Sequence, residues 1–558
     1  MRRLNIAFAI VTFILMHVSA AVAQEHKRVE VTTIYTPEVA SATKIVAPAT
    51  IADKPDIEPD INYGISPDTW QIELDDHDFK PATAGYWDFG RAKRFNAKLG
   101  GGYPLASDGA LRFAMGNKRV GYFGVGVEHD GNFSSRINAL GVERTMAESY
   151  NMRNRAYVHG GVIAGRQLFE VDADYDFDIY NRYAELVENP ARTMFHDAML
   201  KLSYGDSFVD LSRLNFGVEA HGGYWSCVSP AATLMHNPMT EFSAGGSVRV
   251  AREVRENVIG IRAMYDMWHS VVSSYQDMRA GLSVEYARKF DVVDIDMSIG
   301  YMYDKVHDRA KASHYVMPRV KLLFDFDVQA FVPYVELNTS VSQNSMAALY
   351  RQNPYLDGDA SYEALLTMPN TRIYDLNLGF NGSAIASRLG YRLYFGANFM
   401  RDQLVWYINN VGTFGVDTGN NTRFFAGAEI SCRPVGGLYI AASVYAHANN
   451  SKAKYYVDDA NWHSKLEVEY RIKGWKFYVL GDVVGKRRWS SEVCIDGVCA
   501  DVFTTPTTVD LRAGISVRAS QRVEIYADGY NLLNSRIYDY AYYYRNGAGF
   551  MAGVMIDF

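Results

Sequence analysis

The chain has 558 residues, a formal net charge of −7 and 48% hydrophobic residues. That slight acidity excludes a nucleic-acid partner, because no basic stripe is present to neutralise phosphates. No apolar run beyond the first two dozen residues is long enough for a spanning helix; the 39 Tyr, 45 Gly and 4 Cys fit a large antiparallel β protein, with Tyr expected at membrane interfaces.

The beginning of the chain reads as an export signal. Met1-Arg-Arg carries positive charge, Ile6 to Val18 is apolar, and Ser19 to Ala23 supplies small residues for cleavage. The pattern predicts a secretory signal peptide over residues 1–23, with Gln24 as the first mature residue. The apolar run is too short to cross hydrocarbon, and no Cys follows the cut to carry a lipid anchor. Residues 24–90 hold six of the sixteen prolines and read as an extended periplasmic lead with little core of its own.

From Arg91 to Phe558 the pattern becomes alternating strands. Tight connections at Gly165-Arg-Gln, Arg288-Lys-Phe-Asp, Arg433-Pro-Val-Gly-Gly and Ile472-Lys-Gly alternate with longer polar ones. The longer ones include Gly131–Tyr150, Cys227–Pro238, Gln343–Thr371, Asn409–Asn421, Ala448–Asn461, Trp489–Pro506 and Asn534–Asn546. Short periplasmic turns alternating with long outer loops predict an all-β fold, a single large transmembrane antiparallel β-barrel of about 22 strands (range about 18–22). Within strands one face is apolar and the other polar, as in Leu466-Glu-Val-Glu-Tyr-Arg-Ile472, where Glu467, Glu469 and Arg471 share a face. In a barrel the polar face looks into the lumen.

Glu170-Val-Asp-Ala-Asp-Tyr-Asp-Phe-Asp-Ile179 is the most unusual strand. Glu170, Asp172, Asp174, Asp176 and Asp178 share one face, and Val171, Ala173, Tyr175, Phe177 and Ile179 the other. Five carboxylates at period two repel unless water or cations intervene. Two readings follow: a cation-preferring lumen or docking strip for a basic segment, and, favoured, a hydrated wall balanced by Arg and Lys of the neighbouring strands. Asp294 and Asp296 repeat the theme on Val293 to Ile299.

Cys494-Ile-Asp-Gly-Val-Cys499 lies in an outer loop. Asp496-Gly497 is a two-residue turn signal that sets the two thiols face to face, and export places them in an oxidising compartment, so a local disulfide between Cys494 and Cys499 is expected. Cys227 and Cys432 receive no partner. The 13 His are scattered without ligand spacing, no Ser/His or Asp/His pair stands out, and Leu356-Asp-Gly-Asp359 has too few ligands for a calcium loop. Neither an enzyme, a metal nor a cofactor is indicated.

The chain ends on Ala548-Gly-Phe-Met-Ala-Gly-Val-Met-Ile-Asp-Phe558. Phe550, Ala552, Val554, Ile556 and Phe558 form one face of a strand expected to close the barrel, with its apolar face to lipid. Just before it stands Tyr530-Asn-Leu-Leu-Asn534, followed by a Tyr-rich loop. Together these resemble the end of TonB-dependent receptor barrels, and the resemblance covers Arg91–Phe558. It implies an outer-membrane location in a Gram-negative bacterium, insertion by the barrel-insertion machinery, contact with outer-membrane lipid, and a role in transport. Such receptors place a folded plug before the barrel, whereas residues 24–90 do not resemble one, so the chain resembles plugless barrels. Lys27-Arg-Val-Glu-Val-Thr-Thr33 is similar to the segment that engages TonB, but alternating Val and Thr is common in extended chain, and the missing plug argues against TonB-driven uptake. Two function classes remain open. One is a receptor-like or gated channel; the other is a non-transporting barrel subunit of a larger outer-membrane or biogenesis assembly, with other outer-membrane or periplasmic subunits as partners.

Overall fold

A computed structural model describes residues 95–558 apart from short stretches at 118–119, 134–135, 138–142, 145–150, 186–191, 230–237, 271–275, 307–311, 327, 359–367, 386–387, 456–458, 496–497 and 500. The expected signal peptide, the lead and the Lys27–Thr33 segment lie outside the described residues.

Twenty-two antiparallel strands run in chain order from Phe95–Tyr103 to Gly549–Asp557, and the sheet closes on itself. Each strand pairs with its chain neighbour. The last pairs with the first, with Asn96 opposite Asp557 and Tyr103 opposite Phe550. Phe558 takes part in the seam: its amide donates to the Phe95 carbonyl at 2.9 Å, and the Phe95 amide donates back at 3.2 Å. Closure leaves no open edge strand, so backbone pairing runs from strand to strand around the whole ring, as hydrocarbon requires.

The two ends of the barrel differ. At the end holding both Phe95 and Phe558 most connections are tight, three of them only two residues long: Gly165-Arg166, Arg255-Glu256 and Lys473-Gly474. In the last two turns both residues have positive φ (52° and 65°, 46° and 85°), the mirror-image turn whose twist matches that of the flanking strands. At the other end most connections are longer, among them those joining Ser342 to Thr371, Val484 to Thr508 and Tyr530 to Gly549, while Pro104-Leu105 and Val411-Gly412 are two-residue tips. The described residues hold one short helix, Met346–Gln352, within the first of these.

The faces follow the alternation. On the second strand, Ala106–Asn117, Leu111, Phe113 and Met115 are exposed on the outer face. Arg112, on the other face, pairs with Glu128 of the next strand at 2.7 Å. The composition finds a second use here. Tyr394 lies directly opposite Gly427, and Tyr478 opposite Gly514. A Cβ on either glycine would collide with the ring, so each ring lies flat over a bare backbone, a cross-strand packing that only Gly allows. Tyr is therefore a lumen-wall residue here as well as an interface residue.

Candidate functional site: a lid of outer loops over a charged lumen

Among the described residues, the one extensive apolar core is not in the wall. It lies at the long-loop end and is assembled from five connections and the strand ends below them. Its fully buried members include Leu349, Tyr350, Leu356, Ile408, Phe414 and Trp489. The connection after the fifth strand, Gln167–Asn181, contributes Tyr183 and Ala184; the one after the thirteenth, Val332–Ser342, contributes the helix and Tyr355. The remaining pieces come from the hairpin tip around Val411, the segment 485–507 and the segment 531–548. Connections eight strands apart around the ring thus touch one another, and the loops meet across the mouth.

Specific bonds knit them. Arg182 is completely buried. Its guanidinium pairs with Glu185, donates to Thr193 Oγ1 at 3.2 Å, and reaches across to the carbonyls of Pro354 (3.3 Å) and Tyr355 (3.1 Å). These donors and acceptors compensate a cation that would otherwise be costly to bury. The Tyr355 and Tyr543 rings stack at 3.4 Å, and Tyr183 packs edge-on to Tyr543 at 5.1 Å. Tyr183 Oη donates to the Tyr544 carbonyl at 2.9 Å, and Tyr543 Oη to the Gly412 carbonyl at 2.7 Å. Gly412 has φ of +78°, and a Cβ there would strike the Ala184 backbone; the tip needs glycine on both counts. Burial pushes the Tyr543 phenol well above its ordinary value. Further out, Tyr455 donates to Glu492 Oε1 at 2.6 Å, and burial together with that bond pushes its phenol up to about 12.

The stretch Asn409–Asn421, read as a polar loop, is corrected by the structure. Leu389–Asn410 and Thr413–Cys432 are the longest strands, of 22 and 20 residues, and remain paired up to the tip. Their register breaks between Met400 and Gln403, where Asp402 adopts φ of 54°. Beyond that bulge Trp406, Ile408, Phe414 and Val416 are buried in the lid, and Tyr407 and Ile408 pair in parallel with Ser490 and Ser491. Asn, Gly and Thr in this stretch suggested a loop, but the ladder continues because each backbone group finds a partner on the facing strand.

The acidic ladder lies below, on the fifth strand. Glu170 accepts from Tyr122 Oη (2.7 Å) and Ser203 Oγ (3.0 Å). Asp174 is paired with Arg155. Asp178 accepts from Tyr180 Oη at 3.5 Å. Asp172 stands between His159 and Lys201 in register, and Asp176 between Arg155 and Asp197. Asp197 is itself paired with Arg351 of the lid helix. Asp294 and Asp296 meet Lys289 (3.6 Å) and Arg319 (2.8 Å).

Cys494 and Cys499 pair directly in register across a short hairpin in the lid segment 485–507. Cys227, buried in the lid core, and Cys432 are free thiols. On the last strand Phe550, Ala552 and Val554 are exposed on the outer face, Ile556 stands between Ala97 and Val523, and Phe558 is exposed. Asp357 accepts from Asn409 Nδ2 at 2.8 Å, binding two lid pieces, while Asp359 lies outside the described residues.

A cavity of about 170 Å³ opens beneath the last two long connections, lined by Asp482, Arg487, Asp510, Asp539 and Arg545 among others. Its charges are already mated. Arg545 holds Asp539 (2.9 Å) and Asp510 (3.6 Å), Arg512 holds Asp510 (2.8 Å), and His463 meets Asp482 at 2.6 Å.

Reading the chain for charge and cysteine motifs misses the lid residues Arg182, Tyr183, Tyr350, Tyr355 and Tyr543. A signal for them stands in Tyr538-Asp-Tyr-Ala-Tyr-Tyr-Tyr544, far more aromatic than a solvated loop requires.

No protein-family model and no curated protein matches the chain. Solved structures do resemble it. The FrpB iron transporter from Neisseria meningitidis superposes with a TM-score of 0.65 at 11% identity, over 84% of this chain and 82% of that one. The pyoverdine outer membrane receptor FpvA from Pseudomonas aeruginosa gives 0.63 at 11%, over 85% and 79%. The copper transporter OprC gives 0.60 at 14%, over 85% and 82%. At this identity the likeness is one of architecture: the chain folds as the 22-strand outer-membrane barrel of TonB-dependent receptors, and among its described residues there is no plug domain.

Proposed function

We propose that the protein is a receptor-type, transport-related barrel of the outer membrane whose own outer loops form the gate. A 22-strand barrel encloses a lumen wide enough to need filling. Here the five packed connections supply that barrier from the outside, and this lid is the observation that carries the reading. Structures of the same architecture include an iron transporter, a copper transporter and a pyoverdine receptor, which favours transport over other roles for the fold. Their cargoes differ, so cargo follows from loops and lumen, not from fold.

The gate reading is tested in planar bilayers with the full mature chain. The unmodified protein is expected to be silent. Replacing Tyr355 and Tyr543 together by Ala, which removes the 3.4 Å stack at the centre of the lid, is expected to release discrete conductance steps. If the double variant keeps its barrel but stays silent, the gate reading is wrong. The second function class then takes over, a non-transporting subunit of an outer-membrane assembly, and purification in mild detergent should bring partners with the protein.

A further inference from the structure

We infer that Arg351 and Asp197 form an ionic latch that seats the lid helix on the far wall, and that Asp176 of the acidic ladder strengthens it. This rests on the gate reading above and names how that gate is held.

The helix Met346–Gln352 belongs to the connection after the thirteenth strand, but it docks on the sixth and seventh strands, Arg192–Asp206 and Asn215–Val228. Ser345 caps it, accepting from the Ala348 amide at 3.2 Å. Its buried face is Met346, Ala347, Leu349 and Tyr350. Tyr350 sits against Phe195 at 5.9 Å and Trp225 at 5.8 Å. Arg351 follows at once. Its Nε donates to Asp197 Oδ2 at 2.6 Å, and an Nη contacts the same oxygen. Asp197 lies two residues beyond Phe195, on the same face of the same strand. The apolar seat and the ionic contact are therefore adjacent.

The ladder explains why a cation is wanted there. Asp176 stands directly opposite Asp197, and two carboxylates at cross-strand spacing repel. The wall's own cation, Arg155, stands opposite Asp176 on its other side and is its strongest attraction, but its hydrogen bonds go to Asp174. Arg351 lies within electrostatic reach of Asp176 as well as touching Asp197. The lid thus adds a further cation to a stretch of wall where Asp174, Asp176, Asp178 and Asp197 outnumber Arg153 and Arg155. Lifting the helix leaves the Asp176–Asp197 repulsion in place and removes the attraction of both carboxylates for Arg351, so the loss opposes opening. The ladder acts on the lid, whatever passes through the lumen.

Cys227 reports the latch without any cargo. It is fully buried beneath the same seat, so its alkylation by a small thiol reagent, followed by mass spectrometry on the folded protein in detergent, measures lid lifting. Arg351→Gln should accelerate Cys227 alkylation about fivefold, the factor that corresponds to a partly exposed ion pair. Asp197→Asn should act similarly and Asp176→Asn by less. Arg351→Glu should accelerate it more, and Arg351→Glu combined with Asp197→Lys should restore the slow rate. High salt should accelerate the unmodified protein but not Arg351→Gln, because screening weakens only a latch that exists. Leu349→Ala, which loosens the apolar seat, is the control. If Leu349→Ala accelerates alkylation while Arg351→Gln and salt do not, the latch is overturned and the lid stands. If Leu349→Ala has no effect either, no lid covers Cys227 and both inferences fall.

Discussion

On the barrel wall, Leu111, Phe113 and Met115 leave their side chains exposed, while Arg112 between them turns to the lumen and meets Glu128. In the lid, Leu349, Leu356, Ile408 and Phe414 lose all contact with solvent and pack on one another. The wall buries no apolar core within the protein; it is held by a closed ladder of backbone hydrogen bonds whose apolar face is satisfied by lipid. The lid is built as a small soluble domain would be, by hydrophobic burial between side chains far apart in sequence. One chain therefore carries two kinds of stability, and they should fail independently.

The sharpest way to separate them is to cut into the lid. Leu349→Ala removes a fully buried side chain from its centre and is expected to cost the lid about 2–5 kcal/mol, as large-to-small core changes do. Limited proteolysis and hydrogen exchange should show the segment around the helix opening, while the barrel still resists SDS at room temperature and shifts mobility only on heating. A joint loss of lid protection and heat-modifiable mobility would show that the two regions are one cooperative unit.

The wall should show the reverse. Ile299 is exposed at the centre of the strand Val293–Lys305, between Val284 and Pro318, and Ser298 beside it faces the lumen between Glu285 and Arg319. Ile299→Arg places a charge in hydrocarbon and is expected to cost about 2–4 kcal/mol, seen as poor insertion. Ser298→Arg, with Glu285 next to it, should insert normally. Equal tolerance at the two positions would mean that the faces are assigned the wrong way round.

This contrast also explains how much could be read before the structure. The wall was legible because its rule is local: period two, a face for lipid and a face for water, and tight turns at every second connection. The terminal strand from Phe550 to Phe558 shows that rule in nine residues and closes the barrel as expected. The lid was not legible because its rule is tertiary. Tyr183, Tyr355 and Tyr543 share no spacing, and each sits in a connection whose polar residues suggest solvent, Glu and Asn around the first and Asn, Gly and Asp around the other two. Asn409–Asn421 was misread for that reason. The acidic ladder was legible as a feature, but not its partners: Arg155 follows from strand pairing, whereas Arg351 arrives from a loop on the far side of the ring. Residue types mark where charge sits; only the closed ring says which charges meet.

The smallest effect is expected where lid and covalent chemistry meet. Cys494 and Cys499 are paired in register across a hairpin that closes a very short loop. A cross-link over so few residues removes little entropy from the unfolded chain, so its contribution is expected below about 3 kcal/mol, and it should steady the segment 485–507, not the whole lid. Denatured but unreduced mature protein should take up two alkyl groups, on Cys227 and Cys432, and four after reduction, the full cysteine count. Cys494→Ser with Cys499→Ser should raise hydrogen exchange in the hairpin while Cys227 stays as slow to alkylate as in the unmodified protein, because Trp489 and Val493 still anchor that segment to the core. Four reactive thiols before reduction would remove the disulfide. Fast alkylation of Cys227 in the double variant would instead give the hairpin a share in holding the lid shut, and the division between a locally stapled loop and a packed lid would have to be redrawn.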